Sequence, residues 1–145
     1  MKKKKINEVK ITLLAISKNE ALARAYISAF AAQLDPTLDE LADIRCAVSE
    51  AVTNCVVHAY KCQEIPGKIY INARLYSDRT VSIEISDRGC GIEDIEMAMT
   101  PLFTTDSAGE RSGMGFSVMK SFTDSVKVTS KPSGGTRVFM SKKFS

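Results

Sequence analysis

A chain of 145 residues, 44% hydrophobic and 26% charged, has room for one domain with its own core, and no apolar run approaches the ~20 residues of a membrane-spanning helix. The net charge of +3 sits in Lys2 to Lys5; without that run the 20 basic residues fall to 16 against 17 acidic ones, a net of −1, which disfavours a nucleic-acid-binding body. Residues 6–10 (Ile-Asn-Glu-Val-Lys) are charged and lack the apolar stretch of an export signal, so residues 1–5 read as a disordered basic tail and the chain as cytoplasmic.

Residues 8–16 are β-branched and mostly apolar and predict a strand. Ser17 or Asn19 can cap a helix that runs to about residue 34, with Leu22, Ala25, Tyr26, Ala29, Phe30 and Leu34 at helical spacing. Glu20 and Arg24 stand four apart elsewhere on its surface. By spacing alone they are an i,i+4 pair worth about 0.2–0.5 kcal/mol. Asp35-Pro36-Thr37 breaks this helix, and a second is predicted over about residues 38–61.

The second helix organises the chain. At ~100° per residue, Glu50, Asn54 and His58 form a polar strip. Val48, Ala51, Val52, Cys55, Val56 and Ala59 fall on the opposite, core-facing side. A carboxylate can take a proton or orient a hydroxyl. An amide oxygen one turn away is a hard ligand suited to Mg²⁺. Glu and Asn at this spacing usually form no more than a solvated face, so the strip acquires meaning only from the glycine-rich loops further along the chain.

Residues 68–76 and 80–87 alternate as strands, with Val81, Ile83 and Ile85 on one face, and residues 77–79 turn the chain between them. Asp87-Arg88-Gly89-Cys90-Gly91 leaves the second of these strands. A carboxylate there can accept an adenine amino group; it can equally cap a tight turn. A short helix is predicted over 93–99, and the polar stretch 101–112 reads as a mobile loop. Gly109-Glu110-Arg111-Ser112-Gly113-Met114-Gly115 then leads into a helix ending near 122–124. Amides at a helix start favour phosphate, but the run is not a Walker loop and does not follow the first strand of a βαβ unit. Strands over 125–130 and 136–141 flank a turn at 132–135.

The order predicts an α/β two-layer sandwich: a single domain over 1–145 with a mixed, mostly antiparallel sheet and its helices on one face. The four cysteines, Cys46, Cys55, Cys62 and Cys90, contain no C-x-x-C pair, and there is one histidine. Zinc is disfavoured, and thiols without a disulfide framework are expected.

Helix, strand-end carboxylate and glycine loop come in an order that resembles the GHKL superfamily of ATP-binding domains, over nearly the whole chain. Ser49-Glu50-Ala51-Val52-Thr53-Asn54, Pro101-Leu102-Phe103-Thr104-Thr105 and Glu110-Arg111-Ser112-Gly113-Met114-Gly115-Phe116 are similar to runs of the anti-sigma F factors of endospore-forming bacteria. So is the segment from Ala29-Phe30 to Gln33-Leu34-Asp35-Pro36.

The resemblance implies ATP or ADP with Mg²⁺ on Asn54, and Glu50 as the base for an attacking serine hydroxyl. It implies Asp87 on the adenine amino group, with Gly89 and Gly91 shaping that pocket and Thr136 near it. Thr104 and Thr105 would begin a lid ending at Ser112, and Arg111, Ser112, Gly113 and Gly115 would line the phosphates. It further implies a homodimer that binds sigma factor F, partly through Glu20 and Arg24, and that phosphorylates a serine of an anti-anti-sigma protein. Neither direct nucleic-acid binding nor membrane contact is implied.

The sequence departs from that pattern in three places. Ala59 stands where relatives tend to have glycine, Asp106-Ser107-Ala108-Gly109 makes the lid less basic, and Cys90 occupies a variable slot. Two other classes remain: a nucleotide-gated binding module without transfer, and a sensor histidine kinase core. The second would need His58 as acceptor, and His58 lies on the nucleotide-facing strip.

Overall fold

The computed structural model describes residues 3–61, 63–91, 115–131 and 134–145. The helix expected over 93–99 and the loop over 101–112, with Thr104, Thr105, Arg111, Ser112 and also Gly113, lie outside the described residues.

Strand β1 (Lys5–Leu14) leads into α1 (Lys18–Ala31), which tightens into a 3₁₀ turn (Ala32–Leu34). Helix α2 (Leu38–Asn54) continues as a π turn (Cys55–Ala59). The hairpin β2 (Lys68–Tyr76) and β3 (Thr80–Asp87) follows, then α3 (Gly115–Phe122), β4 (Ser125–Lys131) and β5 (Gly135–Lys143). The strands form one sheet in the order β1-β2-β3-β5-β4, and every neighbouring pair is antiparallel.

Period-two patterning sets which face is covered. Register aligns Ile11, Ile71, Ile85, Val138 and Val128 in one row across the sheet, and Val9, Ala73, Ile83, Met140 and Val126 in the next. The middle residues of these rows are buried with Ala23, Ile27, Ala47, Val48, Ala51, Val52 and Met119 of the helices, so one core lies between sheet and helix layer. The other face carries ion pairs such as Arg74–Glu8 at 2.6 Å and Arg137–Glu84 at 2.9 Å.

The start of β1 and the end of α2 differ from the sequence expectation. Strand β1 starts at Lys5, Lys4 N–H donates to Ser77 Oγ at 3.0 Å, and Lys3 Nζ sits 4.4 Å from the centre of the Tyr76 ring. The tail expected over 1–5 is therefore paired through its backbone from Lys4 onward. A ladder needs only backbone groups, so hydropathy misses it.

Helix α1 has Ser17 at its start without a side-chain cap, and Asn19 Nδ2 donates backward to Leu14 O at 2.9 Å. Helix α2 starts on a capping box, Thr37 Oγ1 accepting from Glu40 N–H while the Glu40 side chain accepts from Thr37 N–H. It does not run on as an α-helix to residue 61. After Asn54 it continues as a π turn over Cys55–Ala59.

Candidate functional site

Asp87 is the next inward position after Val81, Ile83 and Ile85, so the alternation that buries those three also turns its carboxylate under the helices. It is 8% exposed. Its Oδ1 accepts Gly89 N–H at 2.9 Å and Thr136 N–H at 3.2 Å, and its Oδ2 accepts the Cys55 thiol at 3.6 Å. Burial holds this carboxyl above the usual carboxylate range, against the two amides and the thiol, which favour the anion. Burial, and then the charge of Asp87, push the Cys55 thiol well up, so it remains a protonated donor.

The backbone around Asp87 is fixed by close approach. A Cβ on Gly89 would overlap the Ala59 carbonyl oxygen, and Cys90 N–H donates to that same oxygen at 2.7 Å. Gly135 has φ +87°, and a Cβ there would overlap Asp87 O. Tyr60 locks the other side: its hydroxyl accepts Arg88 N–H at 2.9 Å and donates to Lys68 O at 2.5 Å. Gly91, at φ +78°, closes the described part of the loop.

Glu50 opens on a cleft of about 370 Å³ between α1 and α2, lined by Ser17, Glu20, Ser49, Glu50, Thr53 and Val56. Glu20 is the acceptor of the Ser49 hydroxyl and pairs with Arg24 at 3.3 Å. The last turn of α2 thus presents Glu50 to a cleft, ends at Asn54, and hands on directly to Cys55 against Asp87.

Among the described residues no group of three or more His, Cys, Asp or Glu side chains could hold a metal. A single hard amide oxygen on Asn54 fits a Mg²⁺ carried mainly by the phosphates of a nucleotide, which keeps most of its ligands off the protein.

The structure brings Asp87, Gly89 and Thr136 together, and joins Glu20 and Arg24 to the wall of the Glu50 cleft. Gly115 is the first residue of α3. Sequence reading missed the hydroxyls of Ser17, Ser49 and Thr53 in the cleft, because their positions depend on how α1 crosses α2. It assigned Cys55 to the core by periodicity and missed its contact with Asp87; spacing shows burial but not what a buried group touches. Tyr60 was missed likewise.

Cys90, expected as a thiol, is disulfide-bonded. Cysteine spacing along the chain does not show which sulfurs the fold brings within bonding distance.

A family profile described as "Histidine kinase-like ATPase domain" matches residues 15–142. The chain is 52% identical to an anti-sigma F factor of Caldanaerobacter subterraneus subsp. tengcongensis, covering 94% of this chain and 93% of the relative. It is 48% identical to that of Clostridium acetobutylicum, covering 95% and 94%. Among solved structures, the RsbU and RsbW domains of Rv1364c from Mycobacterium tuberculosis share the fold with TM-score 0.70 at 22% identity, over 96% of this chain and 33% of that one. The histidine kinase domain of a blue-light-activated kinase from Erythrobacter litoralis aligns with TM-score 0.57 at 17% identity, over 86% and 61%. With near-half identity over almost the entire length of both partners, on a fold whose inward carboxylate and helix-borne Glu50 and Asn54 match the expected order, the chain belongs to the anti-sigma F factors of the histidine kinase-like ATPase family.

Proposed function

We propose that this protein binds and silences the sporulation sigma factor F in the cytoplasm, and that it is an ATP-dependent protein-serine kinase acting on an anti-anti-sigma protein. The observation that carries the reading is Glu50 on an open cleft, one helical turn before Asn54, in a chain so similar to anti-sigma F factors.

In this reading the base sits at Asp87, whose amide-held carboxylate accepts the adenine amino group, with Thr136 beside it. Gly89 and Gly91 let the backbone follow the ring. Thr104 and Thr105 start the lid, and Arg111, Ser112, Gly113 and Gly115 line the phosphates. Mg²⁺ on Asn54 supplies charge neutralisation when bound. The partner's serine enters the cleft, its oxygen bonds to the γ-phosphorus as the bond to the β-γ bridging oxygen breaks, and Glu50 takes the hydroxyl proton. Positioning supplies most of the catalysis.

Glu20 and Arg24 belong to the docking surface, and the protein works as a homodimer. No direct contact with nucleic acid or membrane is proposed; no helix among the described residues is long and apolar enough to cross a bilayer.

The test is transfer of label from γ-labelled ATP to the anti-anti-sigma protein, run beside a copy lacking the target serine. Label on the intact protein alone is the expected result. Nucleotide binding without any transfer would overturn the kinase reading and leave a nucleotide-gated sigma-binding module.

A further inference from the structure

The two oxygens of Asp87 are treated differently. Oδ1 is saturated by two amide donors, Gly89 N–H and Thr136 N–H, and is spent on the protein's own backbone. Oδ2 receives one side-chain donor among the described residues, the Cys55 thiol at 3.6 Å. A carboxylate oxygen has room for a second donor, and this is the oxygen left for a ligand.

Cys55 is 4% exposed and lies on the apolar arc of the helix, where an aliphatic side chain would satisfy packing equally well. A thiol there packs like a small hydrophobe and adds one weak donor. It is also fixed, since the π turn that begins at Cys55 is anchored at Ala59 O by Cys90 N–H.

We propose that Cys55 is a positioning residue that determines base specificity: its S–H holds Asp87 Oδ2 in place as an anionic acceptor for the exocyclic amine of an adenine nucleotide. This rests on the assignment of Asp87 to the base.

The consequence is differential. ADP offers a 6-amino donor to Oδ2, and IDP offers a carbonyl oxygen in its place. Removing the thiol takes away the one donor to Oδ2 among the described residues, so the anion is less favoured and its orientation is held less firmly. Affinity for ADP then falls while affinity for IDP, which gains nothing from Oδ2, changes little.

The experiment is isothermal titration of wild type, Cys55→Ala and Cys55→Ser with ADP and with IDP, across pH. Cys55→Ala is expected to shrink the ratio of the two dissociation constants by about threefold to tenfold, the scale of one weak hydrogen bond to a charged group. The acid limb of ADP binding should also move to higher pH. Cys55→Ser, which restores a donor, should recover the ratio.

A cavity effect alone weakens both nucleotides alike, so an unchanged ratio in Cys55→Ala overturns the proposal. If Cys55→Ala does not fold, Cys55→Val, without donor or cavity, gives the same comparison. Wild type that binds ADP and IDP equally would overturn the base assignment itself, and the proposal with it. The two failures are therefore distinguishable in one data set.

Discussion

Glu50 and Asp87 are both carboxylates, and their surroundings give them different work. Glu50 faces an open cleft rimmed by hydroxyls, and Asp87 is buried under the helix layer. Glu50→Gln keeps shape and loses the proton acceptor; serine transfer should fall by two or more orders of magnitude, roughly the scale of general-base catalysis, with ATP affinity unchanged. Normal transfer by that variant would remove Glu50 from the role.

Asp87 predicts a pH dependence. Its folded carboxyl titrates above the ordinary value of 3.8, and the ionised form is the stronger acceptor for the donors around it. ADP affinity should therefore be full at neutral pH and decline as pH falls through the raised value. Asp87→Asn should bind weakly and without this acid limb in the same titration.

Asp87 was legible in the sequence because period two continues one step past Ile85. Its partner Cys55 was not, because a contact between residues 32 positions apart depends on where a helix end meets a strand end.

At the level of elements, the alternating strands were read to the residue in β2 and β3, since apolar and polar positions on a half-covered sheet have different environments. The hairpins account for the antiparallel β2–β3 and β4–β5 pairs; a mixed, mostly antiparallel sheet was expected, and every neighbouring pair among the described strands is antiparallel. The helix layer was read less well. The π turn at Cys55–Ala59 leaves no mark in hydropathy, and the capping box at Thr37 and Glu40 was visible as T-x-x-E but was read only as a helix break.

That box fixes the start of the helix that carries Glu50 and Asn54. Thr37→Ala should lower stability by about 1 kcal/mol, seen as a drop in the denaturant midpoint with an unchanged slope. At the cleft, Glu20 ties α1 to α2 through Ser49. A double-mutant cycle of Glu20→Gln and Ser49→Ala on stability should therefore give a non-zero coupling, where an exposed, independent pair would simply add.

In the whole molecule the carboxy-terminal residues close the structure. Phe144 is 2% exposed in the common core, its N–H donates to Arg79 O at 2.9 Å, and Ser145 N–H donates to Glu40 at 2.8 Å. Lys142 pairs with Asp43 at 3.5 Å. These contacts bind the last strand to the hairpin turn and to the start of α2. Phe144→Ala should cost about 3–5 kcal/mol, enough to shift the melting temperature by more than 6 °C in a chain of this size. Hydropathy stopped the last strand at residue 141 because lysines at 142 and 143 read as solvated, although the ladder runs to Lys143.

The strand order also bears on how the chain reaches this state in time. Only β2–β3 and β4–β5 are joined by short turns; β1–β2 and β3–β5 each pair segments roughly 50 to 70 residues apart. Both distant pairings use the central hairpin as their template, so it lies at the junction of two entropically costly loop closures. Folding should then be slow for a domain of this length, with a nucleus around the hairpin and the helix that covers it. Stopped-flow chevrons would show Ile83→Val slowing refolding, while Val126→Ala, on the outermost strand, mainly hastens unfolding. The residue that ends the hairpin is Asp87, so the candidate ligand site would rest on the earliest-formed part of the sheet.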